Sequence, residues 1–192
     1  MDLIEKTVNS EHIYDGTVVD LWRDTVILPD GKEAFREVIN HPGGVCVLAL
    51  DENNNVLTVR QFRKATDDIM LEIPAGKLEY GEDVLEAAKR ELEEETGMVA
   101  GEMISLGYFH PTPAYCREKI YMYFARDLSA TAQKLDEDEF LEVSGIPFDE
   151  LYQMVLNNDI TDGKTVLAVL KAKEIVLSEK NNKAMEITNG KE

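Results

Sequence analysis

Apolar and polar residues alternate through "TVVDLWRDTVIL" (17–28), and the turn signal "PDG" (29–31) separates this run from "KEAFREVINH" (32–41). Period-two alternation on both sides of a Pro-Asp-Gly turn predicts an antiparallel hairpin. The pattern then changes. "GGVCVLAL" (43–50) is a near-continuous apolar run, which predicts a buried strand. "DENNN" reads as a turn, "VLTVRQF" as the next strand, and "DIMLEIPAG" as a short strand ending at Pro-Ala-Gly. A three-to-four-residue period takes over from about Glu82 to Thr96, and Gly97 supplies a stop, so this stretch predicts a helix. "MISLGYF" and "KIYMYFARDL" predict strands with "HPTPAYCRE" as the loop between them. "DEDEFLEV" reads as an acidic turn entering a strand, and "FDELYQMVLNND" and "TVLAVLKAKEIVL" as helices joined by "ITDGK". Strands first, a helix in the middle and helices at the end predict mixed sheet layers covered by helices. The expected organisation is a strand region over 1–40, a main domain over 41–178, and a polar, frayed or disordered tail over 179–192.

The helix over 82–96 carries the unusual chemistry. Within "KRELEEETG" (89–97) four of nine residues are glutamate, and like charges at helical spacing repel. At 3.6 residues per turn, Val84, Leu85, Ala88 and Leu92 form an apolar stripe. Glu82, Glu86, Lys89 and Glu93 lie opposite, where solvent and ion pairs such as Glu86–Arg90 are explanation enough. Glu91 and Glu95 do not join that face. They stand one turn apart at the edge of the apolar stripe, flanked by Arg90 and Glu94. Partly buried carboxylates without partners are costly, and a bound cation offsets the cost. Glu94 and Glu95 also sit in the last turn, where the helix dipole disfavours negative charge. Two carboxylates one turn apart suit a hard divalent ion that also takes water and phosphate oxygens.

Charge narrows the partners. The formal net charge is -18, which argues against nucleic acid or an anionic membrane, because either needs a basic patch. Cys46 and Cys116 form no metal or disulfide pattern and read as inert. His12, His41 and His110 are scattered without ligand spacing. The first residues show no signal-peptide core, and no apolar run reaches membrane length. A cytoplasmic location is expected.

The stretch "GKLEYGEDVLEAAKRELEEETGM" (76–98) resembles a complete Nudix box, G-x5-E-x7-R-E-U-x-E-E-x-G-U with U apolar. Gly76, Glu82, Arg90, Glu91, Leu92, Glu94, Glu95, Gly97 and Met98 fill its fixed positions. The resemblance extends over residues 5–178 and is closest in layout to the bacterial ADP-ribose pyrophosphatases. It implies an α/β (α+β) fold, an α/β/α sandwich around a mixed sheet. It also implies an N-terminal antiparallel strand region exchanged across a homodimer. Pro113, fifteen residues past the box, matches the usual marker of these enzymes, but Ala114 follows it where the family often has Gly. Ala adopts positive φ only at a cost, so a differently shaped loop is expected there.

The resemblance further implies the site. Glu91 and Glu95 would be the principal ligands of Mg2+ or Mn2+, with Glu94 as a third and the Ala75 carbonyl as a backbone oxygen. Arg90 would orient the glutamates, and Glu82 would be structural. Arg36, Arg63 and Glu118 match positions that contact substrate, Arg36 across the dimer. Trp22 or Phe35 would stack on adenine. Taken alone, these are ion-pair and core-packing residues. The acidic turn 135–143 would deliver the general base, Glu137 first and Glu139 as the alternative, with Glu94 after them. The implied reaction is metal-dependent hydrolysis of the pyrophosphate of ADP-ribose or a related ADP-sugar, giving AMP and a sugar phosphate. A Nudix hydrolase of another nucleotide, and a sensing module that binds without cleaving, are the alternatives.

Overall fold

A computed structural model of the chain describes residues 2–135 and 139–189, with side chains through 177. The chain divides into two compact units. The first comprises Met1–Gly44 together with Phe109–Ile120. Its three strands, β1 (Lys6–Asp15), β2 (Asp20–Ile27) and β3 (Glu33–Asn40), form an antiparallel sheet in sequence order. The Pro-Asp-Gly turn closes as its residue types dictate, with the Gly31 N–H donating to the Leu28 carbonyl at 2.9 Å. Trp22 pairs with Val38, Asp24 with Arg36 and Thr25 with Phe35. Paired residues share a face and neighbours alternate, so Trp22 and Arg36 lie on one face and Phe35 on the other. β1 is exposed along its whole length.

The segment 109–120 joins this unit through backbone pairing. The Ile39 N–H donates to the Tyr115 carbonyl at 2.7 Å, and the Arg117 N–H donates to the Ile39 carbonyl at 2.9 Å. Ala114 sits in the turn just before Tyr115 and is absent from the positive-φ residues. The turn is therefore one that alanine adopts without strain, and Gly is not needed there.

The second unit comprises Val45–Tyr108 and Tyr121–Glu192. Its strands are β4 (Gly44–Ala49), β5 (Asn55–Arg63), β6 (Asp68–Glu72), β7 (Ala75–Lys77), β8 (Met98–Phe109), β9 (Ile120–Ala130) and β10 (Leu141–Pro147). Its helices are α1 (Val84–Thr96), α2 (Phe148–Leu156) and α3 (Gly163–Asn189). One sheet runs β7-β4-β9-β8 and the other β10-β5-β6. Every residue of β4 is buried, as its unbroken apolar run predicts. Val45, Val47 and Ala49 pack with Ala87, Ala88 and Leu92 of α1 and with Tyr123 and Ala125 of β9. Burying Leu92 alone is worth about 1.5–3 kcal/mol. Cys46 and Leu48 point to the opposite face and are equally buried. The start of α3 lies near that face, close enough for Lys164 and Asp162 to act on the Cys46 thiol. Burial pushes this thiol up to about 12, so it is inert, as expected. Helix α1, the four-stranded sheet and α3 thus stack as α/β/α layers.

The apolar pattern of α3 ends at Leu177, but its backbone continues as helix to Asn189. The residues concerned include Glu, Lys, Ala and Met, which favour helix on propensity and extend one already nucleated.

Candidate active site

Helix α1 begins where Asp83 caps it, its carboxylate accepting from the Leu85 and Glu86 N–H groups at 2.9 and 3.1 Å. It ends at Gly97, which takes φ 66 and donates to the Glu93 carbonyl at 2.8 Å. Between these caps the buried face is Ala87, Ala88, Glu91, Leu92 and Glu95. Two of its five members are glutamates, as the helical spacing predicts. Glu91 is 7% exposed and Glu95 only 2%.

The two carboxylates are held differently. Glu91 accepts from Arg90 Nη1 at 2.8 Å. The same guanidinium reaches Glu94 at 2.9 Å and Glu82 at 3.0 and 3.2 Å. The expected Glu86–Arg90 pair does not form; Glu86 takes Lys89 instead, at 2.8 Å. The reason is that Glu82, beyond the N-cap, turns back and offers Arg90 both oxygens, with a further bond from the Glu79 N–H at 3.0 Å. Hydrogen bonding from Arg90 holds Glu82 below the usual carboxylate range. Glu82 therefore ties the approach loop to the helix rather than facing solvent. Among the described residues Glu95 has no such cation. Its carboxylate accepts from the Ala75 N–H at 3.0 Å. Burial, reinforced by the charges of Glu91 and Glu139, pushes it up to about 8 despite the Ala75 bond and Lys164. Burial also raises Glu91, against the pull of Arg90.

The approach loop is shaped around these groups. A Cβ on Gly76 would fall 1.9 Å from Cδ of Glu91 and 2.0 and 2.2 Å from its oxygens. Only glycine leaves room for that carboxylate, which explains the first position of the motif by contact rather than by backbone freedom. Among the described residues, no three carboxylate, histidine or cysteine groups already converge as a metal cage. Arg90 occupies Glu91 and Glu94 in this arrangement. The donor set nonetheless fits a hard divalent cation in type: two buried carboxylates one turn apart, a third beside them, and backbone oxygen at Ala75.

Glu139 precedes β10 and is close enough to raise both Glu91 and Glu95. It also lines an open cavity of about 430 Å³ with Arg60, Phe62, Ile69, Phe140 and Glu142. Glu137 lies outside the described residues. Arg63, at the end of β5, grips Glu72 with Nε and Nη2, each at 2.7 Å. The second unit thus brings together Ala75, Arg90, Glu91, Glu94, Glu95, Glu139 and Arg63.

The remaining candidates lie in the first unit. Arg36 is paired with Glu5 at 2.5 and 2.9 Å. Trp22 stacks on His12 with ring centroids 4.5 Å apart, and its Nε1 donates to Asp20 at 2.8 Å. Phe35 is 62% exposed with the Arg23 guanidinium over its ring. Glu118 lies 3.9 Å from His41. Because Trp22 and Phe35 occupy opposite faces of their sheet, the two cannot share one stacked base on that sheet.

A family model described as the NUDIX domain matches residues 40–169. The chain belongs to the NUDIX family. It is 40% identical over 182 residues to "ADP-ribose pyrophosphatase" of Bacillus subtilis (strain 168), covering 93% of this chain and 98% of that one. It is 44% identical over 167 residues to "Methanol dehydrogenase activator" of Bacillus methanolicus, covering 86% and 90%. A solved structure titled "Crystal structure of ADP compounds hydrolase" superposes with a TM-score of 0.80 at 22% identity, covering 91% of this chain and 95% of that one. That likeness supports the α/β/α fold of this NUDIX protein. The matched region contains the whole of α1 and its approach loop.

Sequence reasoning missed Glu72, Asp162 and Lys164, a run of ion pairs that ends on Arg63. The available signals were a lone charge inside the apolar run "IMLEI" and an Asp two residues before a Lys at a helix start.

Proposed function

We propose that the chain hydrolyses the pyrophosphate of ADP-ribose, giving AMP and ribose 5-phosphate, with Mg2+ or Mn2+ as the required ion. The observation that carries the chemistry is the buried Glu91–Glu95 pair, of which Glu95 has no ion-pair partner among the described residues. The substrate rests on the similarity to the Bacillus subtilis enzyme across nearly both full lengths.

Glu91, Glu95, Glu94 and the Ala75 carbonyl would hold the ion. When bound, it supplies charge neutralisation at the diphosphate and acidifies water. Arg90 keeps the glutamates in place through its fan of three ion pairs. Arg63 offers its guanidinium to a phosphate, and a loop carboxylate removes the proton from the attacking water. Glu139 is supported for that role by its effect on Glu91 and Glu95, and Glu137 by the resemblance alone. Glu94 is the third choice. Trp22, Phe35, Arg36 and Glu118 keep the substrate-contacting roles that the resemblance implies, Arg36 through a partner copy. No helix among the described residues is long and apolar enough to cross a membrane, and we assign the enzyme to the cytoplasm.

A panel of ADP-ribose, other ADP-sugars, GDP-mannose and nucleoside triphosphates, each with Mg2+ or Mn2+ and with products identified by mass, tests this reading. ADP-ribose is expected to have the highest kcat/KM; a higher value for a triphosphate would overturn the assignment. The similarity to "Methanol dehydrogenase activator" favours a second reading, that the chain also acts on a partner enzyme. Addition of the purified protein to an alcohol dehydrogenase assay, with and without added divalent ion, decides it.

A homodimer accompanies the proposal. Leu3, Ile4, Val8, Ile13 and Tyr14 are all exposed on or beside β1, and apolar side chains on an uncovered strand need a partner. Sedimentation is expected to give twice the chain mass. A stable, fully active monomer would remove both the dimer and the role of Arg36 across it.

A further inference from the structure

Arg63 is a candidate substrate residue whose side chain is held at two points by a buried carboxylate. In the β5–β6 hairpin its register partner is Asp68, whereas Glu72 stands opposite Val59. Residues 59, 61 and 63 share a face with 72, 70 and 68. The Arg63 side chain therefore runs back along that face to reach Glu72. There Nε and Nη2 take one carboxylate oxygen each, both at 2.7 Å. This two-point grip fixes the plane of the guanidinium. It leaves Nη1 without an acceptor among the described residues, and the Arg63 side chain is 41% exposed. Glu95 and Asp162 are near enough for their charges to act on Arg63.

Glu72 is itself held from behind. It is 1% exposed, and the Lys164 ammonium, at the start of α3, bonds its second oxygen. Lys164 also pairs with Asp162 at 2.9 Å. Asp162 caps α3 by accepting from the N–H and hydroxyl of Thr165 at 3.0 and 2.5 Å. The Thr165 hydroxyl then accepts from the Ile73 N–H at 2.9 Å. The start of α3 thus clamps residues 72 and 73, just before the Ala75 N–H that holds Glu95. Charges alternate along this chain: Asp162, Lys164, Glu72, Arg63. Because Lys164 shares the charge of Glu72, Arg63 keeps attraction for an outside anion.

We propose that Glu72, backed by Lys164, is a positioning residue that presents the outer edge of Arg63 to a substrate phosphate. A buried carboxylate serving only stability would need cations but not this split, in which one cation is enclosed and the other stands at the surface. Lys164 is 12% exposed against 41% for Arg63. The inference rests on the reading that Arg63 contacts a phosphate of ADP-ribose.

The test is a double-mutant cycle on ADP-ribose hydrolysis, with KM, kcat and the half-saturating Mg2+ concentration measured separately. Glu72→Gln is expected to raise KM about tenfold and leave the Mg2+ requirement within about twofold, because an unpinned arginine weakens substrate binding without touching the ion's ligands. In an Arg63→Ala background the same change is expected to add nothing. A persistent Glu72→Gln effect there would overturn the proposal in favour of a general structural role. An unchanged KM in Glu72→Gln, with KM raised in Arg63→Ala, would overturn it as well. Unchanged KM in Arg63→Ala would instead overturn the substrate role of Arg63, and absence of ADP-ribose hydrolysis by the wild type would overturn the reading of function. If Glu72→Gln does not fold, Arg63→Lys serves: it keeps the charge, cannot make the two-point grip, and is expected to raise KM similarly. Wild-type KM in that variant would overturn the positioning role.

Discussion

Glu95→Gln is expected to reduce turnover by about a hundredfold or more while the metal-free protein stays at least as stable as the wild type. The two halves of this result have one cause. Glu95 is 2% exposed, faces the charges of Glu91 and Glu139, and has no ion-paired cation among the described residues. In the metal-free fold ionising it is therefore costly, and a neutral amide of the same shape avoids that cost while still accepting from the Ala75 N–H. With the ion present the balance reverses. A ligand charge lost from the site weakens ion binding and the stabilisation of phosphate charge; losing even about 3 kcal/mol of it is about a hundredfold in rate. Turnover at several concentrations of Mg2+ and thermal unfolding with and without Mg2+ read both halves. The upward shift in melting temperature that Mg2+ gives the wild type should shrink in the variant. Near wild-type turnover at saturating Mg2+ would exclude Glu95 as a ligand.

The direction of Glu91 and Glu95 was legible because a helix has one period and the apolar stripe set its phase. Val84, Leu85, Ala88 and Leu92 mark the inner face, and the two glutamates sit beside it in the structure as in the pattern. The strands of the sheets were legible for the same reason, and Gly97 marked the helix end. Ion-pair partners were not. Arg90 has four acids within reach along the chain, and its choice depends on how the loop before the helix folds back, which brings in Glu82 and leaves Glu86 to Lys89. Contacts at long separation were equally hidden: Lys164 meets Glu72 across 92 positions, and Ile39 pairs with the segment around Cys116. No local period records such meetings. Beyond Leu177 the backbone is helical without a hydrophobic period, and the residues there favour helix through propensity.

Gly76→Ala is expected to fold normally and to lose about a hundredfold in turnover. The residue is not among the glycines with positive φ, so the backbone accepts a Cβ without strain. The obstacle is the Glu91 carboxylate, whose carbon would lie 1.9 Å from the new methyl. Something must move, and the cheapest mover is the end of the Glu91 side chain, since backbone lies on the other side of the contact. Rotating that carboxylate away breaks its 2.8 Å bond to Arg90 and removes one of the two buried carboxylates proposed as ligands from its place. A misplacement of about 1 Å in a reacting constellation can cost about a hundredfold. Stability should change little, because Arg90 keeps Glu82 and Glu94 and the apolar contacts of α1 are untouched. The half-saturating Mg2+ concentration should rise, which separates a displaced ligand from a blocked substrate. A folded Gly76→Ala protein with wild-type turnover and Mg2+ dependence would mean that the seat of Glu91 beside Gly76 is not its working position.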